Sequence, residues 1–181
     1  MAEIVKVIKK ICIFGDPAVG KTSLIQRHIF DVFNNAYYPT IGTKVLKSSA
    51  EVMKGEYKIL MTIMLWDLLG QSKFEQIHRT YYQGAEGGIT VCDVSRPETI
   101  QNLGKWVDDF RTTVGPVPII MLANKVDLLD PSDASMKRKV DEAAKRMNIR
   151  FLFTSAKNNE NVHVAFQSMA EEMAESVRKT K

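Results

Sequence analysis

Two cysteines in 181 residues are too few for a disulfide framework. Cys12 and Cys92 each lie inside a short apolar run, the setting of buried free thiols in a reducing compartment. Long apolar stretches are also missing. The longest, residues 59–66, is broken by Thr62 and falls far short of the roughly 20 residues that a membrane-spanning helix requires. Residues 1–10 hold no continuous apolar segment of the secretory type, so neither export nor insertion is supported. The three histidines, His28, His78 and His163, have neither metal-ligand spacing nor a neighbouring nucleophile; they read as ordinary helix residues and none is a catalytic candidate. The charge excess is small, 25 basic against 21 acidic residues. Its visible clusters, Lys137-Arg138-Lys139 and Arg178-Lys179, have no interleaved aromatics and read as solvated helix faces. They leave at most a weak attraction to anionic membrane and argue against nucleic acid as a partner.

A hydrophobic content of 45% over this length suits one globular domain spanning residues 1–181, with a core on both faces of a sheet. Short apolar runs alternate with segments of helical period, and no repeat or low-complexity linker intervenes. The pattern predicts an α/β fold with a mostly parallel sheet and crossover helices. Residues 44–53 and 57–66 flank Lys54-Gly55-Glu56 as a hairpin, which supplies the one antiparallel strand. Ile100, Leu103, Val107 and Phe110 recur at helical spacing, and Ser95 with Glu98 forms an S-x-x-E capping box with Pro97 in the first turn. Met136, Val140, Ala143 and Met147 mark a further helix, and Val162, Phe166, Met169, Met173 and Val177 the last. Their methionines are core packing.

The apolar run Ile11 to Phe14 leads into Gly15-Asp16-Pro17-Ala18-Val19-Gly20-Lys21-Thr22, and a helical segment follows. Strand, glycine-bounded loop and helix stand in the order of a triphosphate cradle. Backbone N–H groups turn inward around the phosphates at a helix N-terminus, Lys21 reaches the β and γ oxygens, and the Thr22 hydroxyl ligates Mg²⁺.

Two later loops resemble a guanine pocket: Asn124-Lys125-Val126-Asp127 after one apolar run, and Ser155-Ala156-Lys157 after another. A carboxylate at Asp127 can accept from both N1–H and the 2-amino group of guanine, whereas adenine offers neither donor and leaves the charge unpaired. Asp67-Leu68-Leu69-Gly70-Gln71 resembles the segment that supplies a water-mediated Mg²⁺ carboxylate, a γ-phosphate amide and a water-orienting glutamine. In this order and at these separations the motifs are similar to those of the Ras superfamily of small GTPases over essentially the whole chain. Tyr38-Pro39-Thr40-Ile41-Gly42, Trp66-Asp67 and Tyr81-Tyr82-Gln83-Gly84-Ala85 most resemble the Rab branch.

That resemblance implies a P-loop GTPase domain of six strands, one of them antiparallel, with helices on both faces. GTP or GDP and Mg²⁺ are its ligands. The phosphate loop, residues 15–22, would be joined in nucleotide binding by Ser23, Phe33, Tyr37, Thr40, Gly70, Asn124, Lys125, Asp127, Ser155, Ala156 and Lys157. Thr22 and Thr40 would ligate Mg²⁺ directly and Asp67 through a water. The Thr40 and Gly70 amides would meet the γ-phosphate, so that its loss releases both segments. Phe33 would lie edge-on to guanine, or else be a first-helix core contact. The Ala156 N–H would meet O6, the stems of Lys125 and Lys157 would cover the ring faces, and Asn124 would tie the loops together. Gln71 would be the catalytic residue of a slow hydrolysis. Effectors would bind residues 31–45 and a face bearing Trp66 and Tyr81, with Val45 where a third aromatic is usual; an exchange factor and an activating protein are implied as well.

Several positions depart from the family pattern. Pro17 fills a loop position where a small residue is usual, Leu68-Leu69 replace Thr-Ala, and Ser72 stands where an acidic residue is common. Leu69 either restricts how its segment swings or, with Leu68, extends the apolar packing of the neighbouring helix. Two readings follow from the resemblance: a slow GTP hydrolase acting as a nucleotide-dependent switch in Rab-like membrane trafficking or cytoskeletal regulation, or a GTP-dependent binding protein in which Pro17 and Leu69 impair hydrolysis. Arg178-Lys179-Thr180-Lys181 carries no prenylation cysteine and Met1-Ala2 no myristoylation glycine, so no lipid anchor is expected in this sequence. Either the chain is cut short after its last helix, or the protein is soluble or comes from a lineage that does not prenylate its GTPases. The expected setting is cytoplasmic, peripheral to membranes if a lipidated tail is missing, and monomeric.

Overall fold

The computed structural model of the protein describes residues 3–34, 40, 42–68, 75–130 and 134–177. Among the described residues six strands form one sheet: β1 (Glu3–Phe14), β2 (Lys44–Lys54), β3 (Tyr57–Asp67), β4 (Gly87–Asp93), β5 (Ile119–Asn124) and β6 (Arg150–Thr154). Their spatial order is β2-β3-β1-β4-β5-β6. Among these six strands the β2–β3 pair alone is antiparallel, as the hairpin pattern predicts. The helices are α1 (Lys21–Phe30), α2 (Glu75–Tyr82), α3 (Pro97–Gln101), α4 (Leu103–Val114), α5 (Ala134–Met147) and α6 (Val162–Ala174).

Strand alternation sorts the core. Ile11 and Ile13 of β1, Ile89 and Val91 of β4, and Ile120 and Leu122 of β5 face α1 and α6. The intervening Cys12 and Phe14 pack with Tyr82, Val107 and Phe110 of α2 and α4, while Cys92, Met121 and Ala123 pack with α5. Successive side chains of a strand point to opposite faces, so near-continuous apolar runs become a sheet buried on both sides. Both cysteines are free, and burial pushes each thiol up to about 12, which leaves them inert. The segment read as one helix behind Ser95 is two, broken at Asn102, with Ile100 on α3 and Leu103, Val107 and Phe110 on α4. These positions and those read for α5 and α6 are buried, with Met147 partly covered and Val177 packed just beyond the end of α6. Leu68, 1% exposed, joins Cys12, Phe14 and Tyr82 in the core, which settles the packing reading for that residue; Leu69 lies outside the described residues.

Two further local expectations are corrected. The first strand starts at Glu3, eight residues before Ile11. Residues 3–10 pair with β3 alone, and Val5 and Val7 pack on the core while Ile8 stays 73% exposed, so lysines interleaved on a half-solvated strand conceal its period. The capping box does not form. Arg96 takes the N-cap position of α3 and Ser95 instead bonds Asp93, with its Oγ 2.6 Å from Asp93 Oδ1. A buried carboxylate two residues upstream outcompetes a helix end for the hydroxyl.

His28 of α1 stacks on Phe166 at 4.0 Å between ring centroids, its Nε2 lies 2.8 Å from Ser48 Oγ, and its Nδ1 has no partner among the described residues. Burial, with the charge of nearby His163 adding to it, pulls the imidazole down from 6.5 to about 4. The unfolded chain therefore takes up a proton that the folded one refuses as pH falls between those values, and stability is lost through that window. His28→Gln should flatten the slope of melting temperature against pH between 6.5 and 4. An unchanged slope in thermal melts would assign acid sensitivity to other groups.

Candidate nucleotide site

β1 ends at Phe14 and α1 begins at Lys21, so the loop between them lies at the C-terminal edge of the sheet. Its glycines are required by space as well as by conformation. A Cβ on Gly15, at φ +136°, would stand 2.3 Å from the Val91 carbonyl oxygen; on Gly20, at φ +100°, it would stand 2.3 Å from Asn124 Nδ2. Ala18 between them is also left-handed at +60°. Left-handed residues interspersed in a tight loop turn successive N–H groups toward a common centre at the positive end of a helix.

Lys21 is 6% exposed and donates to the carbonyls of Gly15 and Asp16, both at 2.8 Å. Burial pulls its ammonium down from 10.5 to about 8, opposed by Asp67 and Asp16 and reinforced by Arg96. Two neutral acceptors leave one of its three donors for an anion. The Asp16 side chain is used differently: Asn102 Nδ2 and Trp106 Nε1, both at 2.7 Å, fasten the loop to the start of α4.

Three oxygen-bearing side chains converge behind the lysine. Thr22 Oγ1 donates to Asp67 Oδ2 at 2.5 Å and lies 2.9 Å from Thr40 Oγ1. Asp67 is fully buried and its Oδ1 has no partner among the described residues. Burial raises its carboxyl pKa, against the Thr22 hydrogen bond and the charges of Lys21 and Lys44. A buried carboxylate with an unused oxygen beside two hydroxyls suits a hard divalent cation such as Mg²⁺. Among the described residues no group of three or more His, Cys, Asp or Glu could hold a metal, so such an ion would complete its shell from phosphate and water.

The base-side loops are joined through Asn124. Its Nδ2 donates to the Val19 carbonyl at 2.9 Å, while its Oδ1 accepts from Thr154 Oγ1 and from the Ala156 N–H, each at 3.2 Å. Asp127 sits in a 3-10 turn, Val126–Leu128, and accepts from Ser155 Oγ at 2.5 Å. The same hydroxyl accepts from the Asn158 N–H at 3.0 Å. Lys125, in the left-handed region, pairs with Asp93 at 2.7 Å. Lys157 is exposed, and Phe33 is partly buried against the core beside α1. Tyr37, Gly70 and Gln71 lie outside the described residues, as do Leu69 and Ser72.

Sequence reasoning missed the supports of these loops. Arg27 of α1 donates Nε to the Ala156 carbonyl and Nη2 to that of Lys157, at 2.9 and 3.0 Å. Asn102 and Trp106 brace the phosphate loop through the Asp16 carboxylate, and Arg96 through the Pro17 carbonyl. No spacing signals them, because each reaches its partner across the fold. On the other surface, Val45 pairs across the hairpin with Trp66, whose ring centroid is 6.0 Å from that of Tyr81. The three form one patch, with Lys10 Nζ 3.9 Å from the Trp66 ring centre.

A phosphate loop backed by a lysine, a threonine and a buried aspartate at the C-terminal edge of this sheet defines a P-loop nucleotide-binding domain. A family model described as Ras family matches residues 10–175. The chain is 36% identical to the Ras-related protein Rab-7a of Dictyostelium discoideum, covering 94% of this chain and 84% of that protein. It is 34% identical to the Ras-related protein Rab7 of Drosophila melanogaster, covering 94% and 82%. The chain belongs to the Ras family of small GTPases and, within that superfamily, to its Rab branch. Its members bind GTP or GDP with Mg²⁺ and work through effectors, exchange factors and activating proteins. Among the described residues no helix is long and apolar enough to cross a membrane.

Proposed function

We propose that this protein hydrolyses GTP slowly and acts as a nucleotide-dependent switch in Rab-like membrane trafficking. The observation that carries the reading is the convergence of Thr22, Thr40 and Asp67, which brings the phosphate loop, the loop after α1 and the end of β3 to one point. Lys21 holds the β- and γ-phosphates, and the amides of residues 18–22 cradle the β-phosphate. Ser23, Phe33, Tyr37 and Lys157 complete the nucleotide contacts, and Asp127, with Ser155, Ala156, Lys125 and Asn124, selects guanine. Thr22 and Thr40 would hold Mg²⁺ directly and Asp67 through a water, and the ion would supply neutralisation of charge on the phosphate oxygens. Gln71 orients the attacking water, whose oxygen bonds to the γ-phosphorus as the bond to the β–γ bridging oxygen breaks, leaving GDP and phosphate.

Thr40 and Gly70 hold their segments on the γ-phosphate and release them after hydrolysis. Residues 31–45 and the Val45, Trp66 and Tyr81 patch then change shape together, so effectors recognise the GTP state. Thr22 serves in both nucleotide states, whereas Thr40 serves only with triphosphate. Thr22→Asn should therefore favour GDP or an empty site. Thr40→Ala should keep GDP affinity and lose triphosphate-dependent effector capture. Equal losses of GDP and GTP affinity in Thr40→Ala, read by nucleotide titration, would remove Thr40 from the switch.

A further inference from the structure

Arg96 has no part in the family reading, yet it touches the phosphate loop directly. Its Nη2 donates to the Pro17 carbonyl at 2.8 Å and its Nε pairs with Asp93 Oδ2 at 3.0 Å. Lys125 of the base-side loop pairs with that same Asp93 oxygen at 2.7 Å. One buried carboxylate thus joins Lys125 of the base-side loop to the arginine that holds the Pro17 carbonyl. Burial pushes the Asp93 carboxyl pKa up, but the Lys125 and Ser95 bonds outweigh it and hold the group below its ordinary value.

The turn that carries Arg96 is fixed from several sides. Pro97 biases the residue before it toward extended backbone, and Arg96 sits at φ −128°, ψ 91°. Its carbonyl accepts from the Thr99 N–H and hydroxyl at 3.0 and 2.8 Å, and its N–H donates to the Asp93 carbonyl at 2.9 Å. In a trans peptide the carbonyl and the next N–H point opposite ways. An arginine holding the Pro17 oxygen on one side therefore directs the Ala18 N–H to the other. Pro17 has no N–H of its own, so the loop depends more heavily on this following peptide. The Arg96 charge also lies close enough to Lys21 to help depress its pKa.

We propose that Arg96 is a positioning residue that sets the Pro17–Ala18 peptide for nucleotide binding and, through Asp93, couples the phosphate loop to Lys125. This rests on the nucleotide site proposed above. A lysine at this position can meet one acceptor but lacks the planar fork that meets two.

The test measures release of a fluorescent GDP from the full chain, with the ³¹P shift of bound GDP read alongside. Arg96→Ala should speed release about tenfold, the scale of one charge-assisted hydrogen bond, and move the β-phosphorus resonance. Arg96→Lys should recover less than half of the logarithmic loss. Arg96→Ala combined with Lys125→Ala should lose less than the sum of the two single losses, as members of one network do. If wild type fails to bind GDP, the nucleotide reading itself falls. If it binds and Arg96→Ala matches it in rate and resonance, or Lys restores both fully, this proposal falls. Slower hydrolysis with unchanged release would also overturn it, in favour of direct contact with phosphate.

Discussion

Asp127→Asn is expected to weaken GTP binding by roughly 10²- to 10⁴-fold, the scale of two hydrogen bonds to a charged acceptor at about 1.5–3 kcal/mol each. The same substitution should raise affinity for xanthosine triphosphate. Guanine presents N1–H and an amine as neighbouring donors, and a carboxylate accepts from both. Xanthine carries an oxygen in place of the amine, which an amide can serve as donor. The Ser155 hydroxyl fixes Asp127 Oδ1 at 2.5 Å and is itself tied to the Asn158 N–H, so the carboxylate would meet a base in a set orientation. Competition binding of the two triphosphates decides the matter. Wild-type GTP affinity in the mutant would mean that the base is read elsewhere.

The second large effect concerns stimulated hydrolysis. Activation in this superfamily commonly brings in an arginine beside the third loop position, and such a residue is worth roughly 10³ to 10⁵ in rate. Pro17 stands at that position, exposed, and its carbonyl is already taken by Arg96. An incoming guanidinium would meet the pyrrolidine ring where a small residue would leave room. Pro17→Gly should therefore increase the response to an arginine-supplying activator far more than it changes the unassisted rate. A wild type that already responds fully would show that Pro17 is no obstacle.

What could be read from the sequence and what could not divide along physical lines. The phosphate loop, Asp67 and the 124–127 and 155–157 loops were legible because their chemistry fixes residue type at short spacing, and each follows an apolar strand. The hairpin and the helix faces were legible from their periods. Residues 3–10 were not, since a strand with lysines interleaved and one face in water carries a weak apolar signal. The Ser95 capping box failed because a local motif cannot show that Asp93 competes for the hydroxyl. Arg27, Arg96, Asn102 and Trp106 were invisible for a related reason: each bonds to a loop 79 to 130 residues away in the chain, and only the folded sheet brings them together.

Single-turnover hydrolysis of preloaded GTP tests the central claim most directly. Wild type should convert its bound GTP to GDP and phosphate in one slow exponential phase without any activator, and Gln71→Leu should hold the triphosphate intact over the same period. A wild type that retains GTP would leave a binding protein in place of a hydrolase, and equal rates in the two proteins would remove Gln71 from the chemistry.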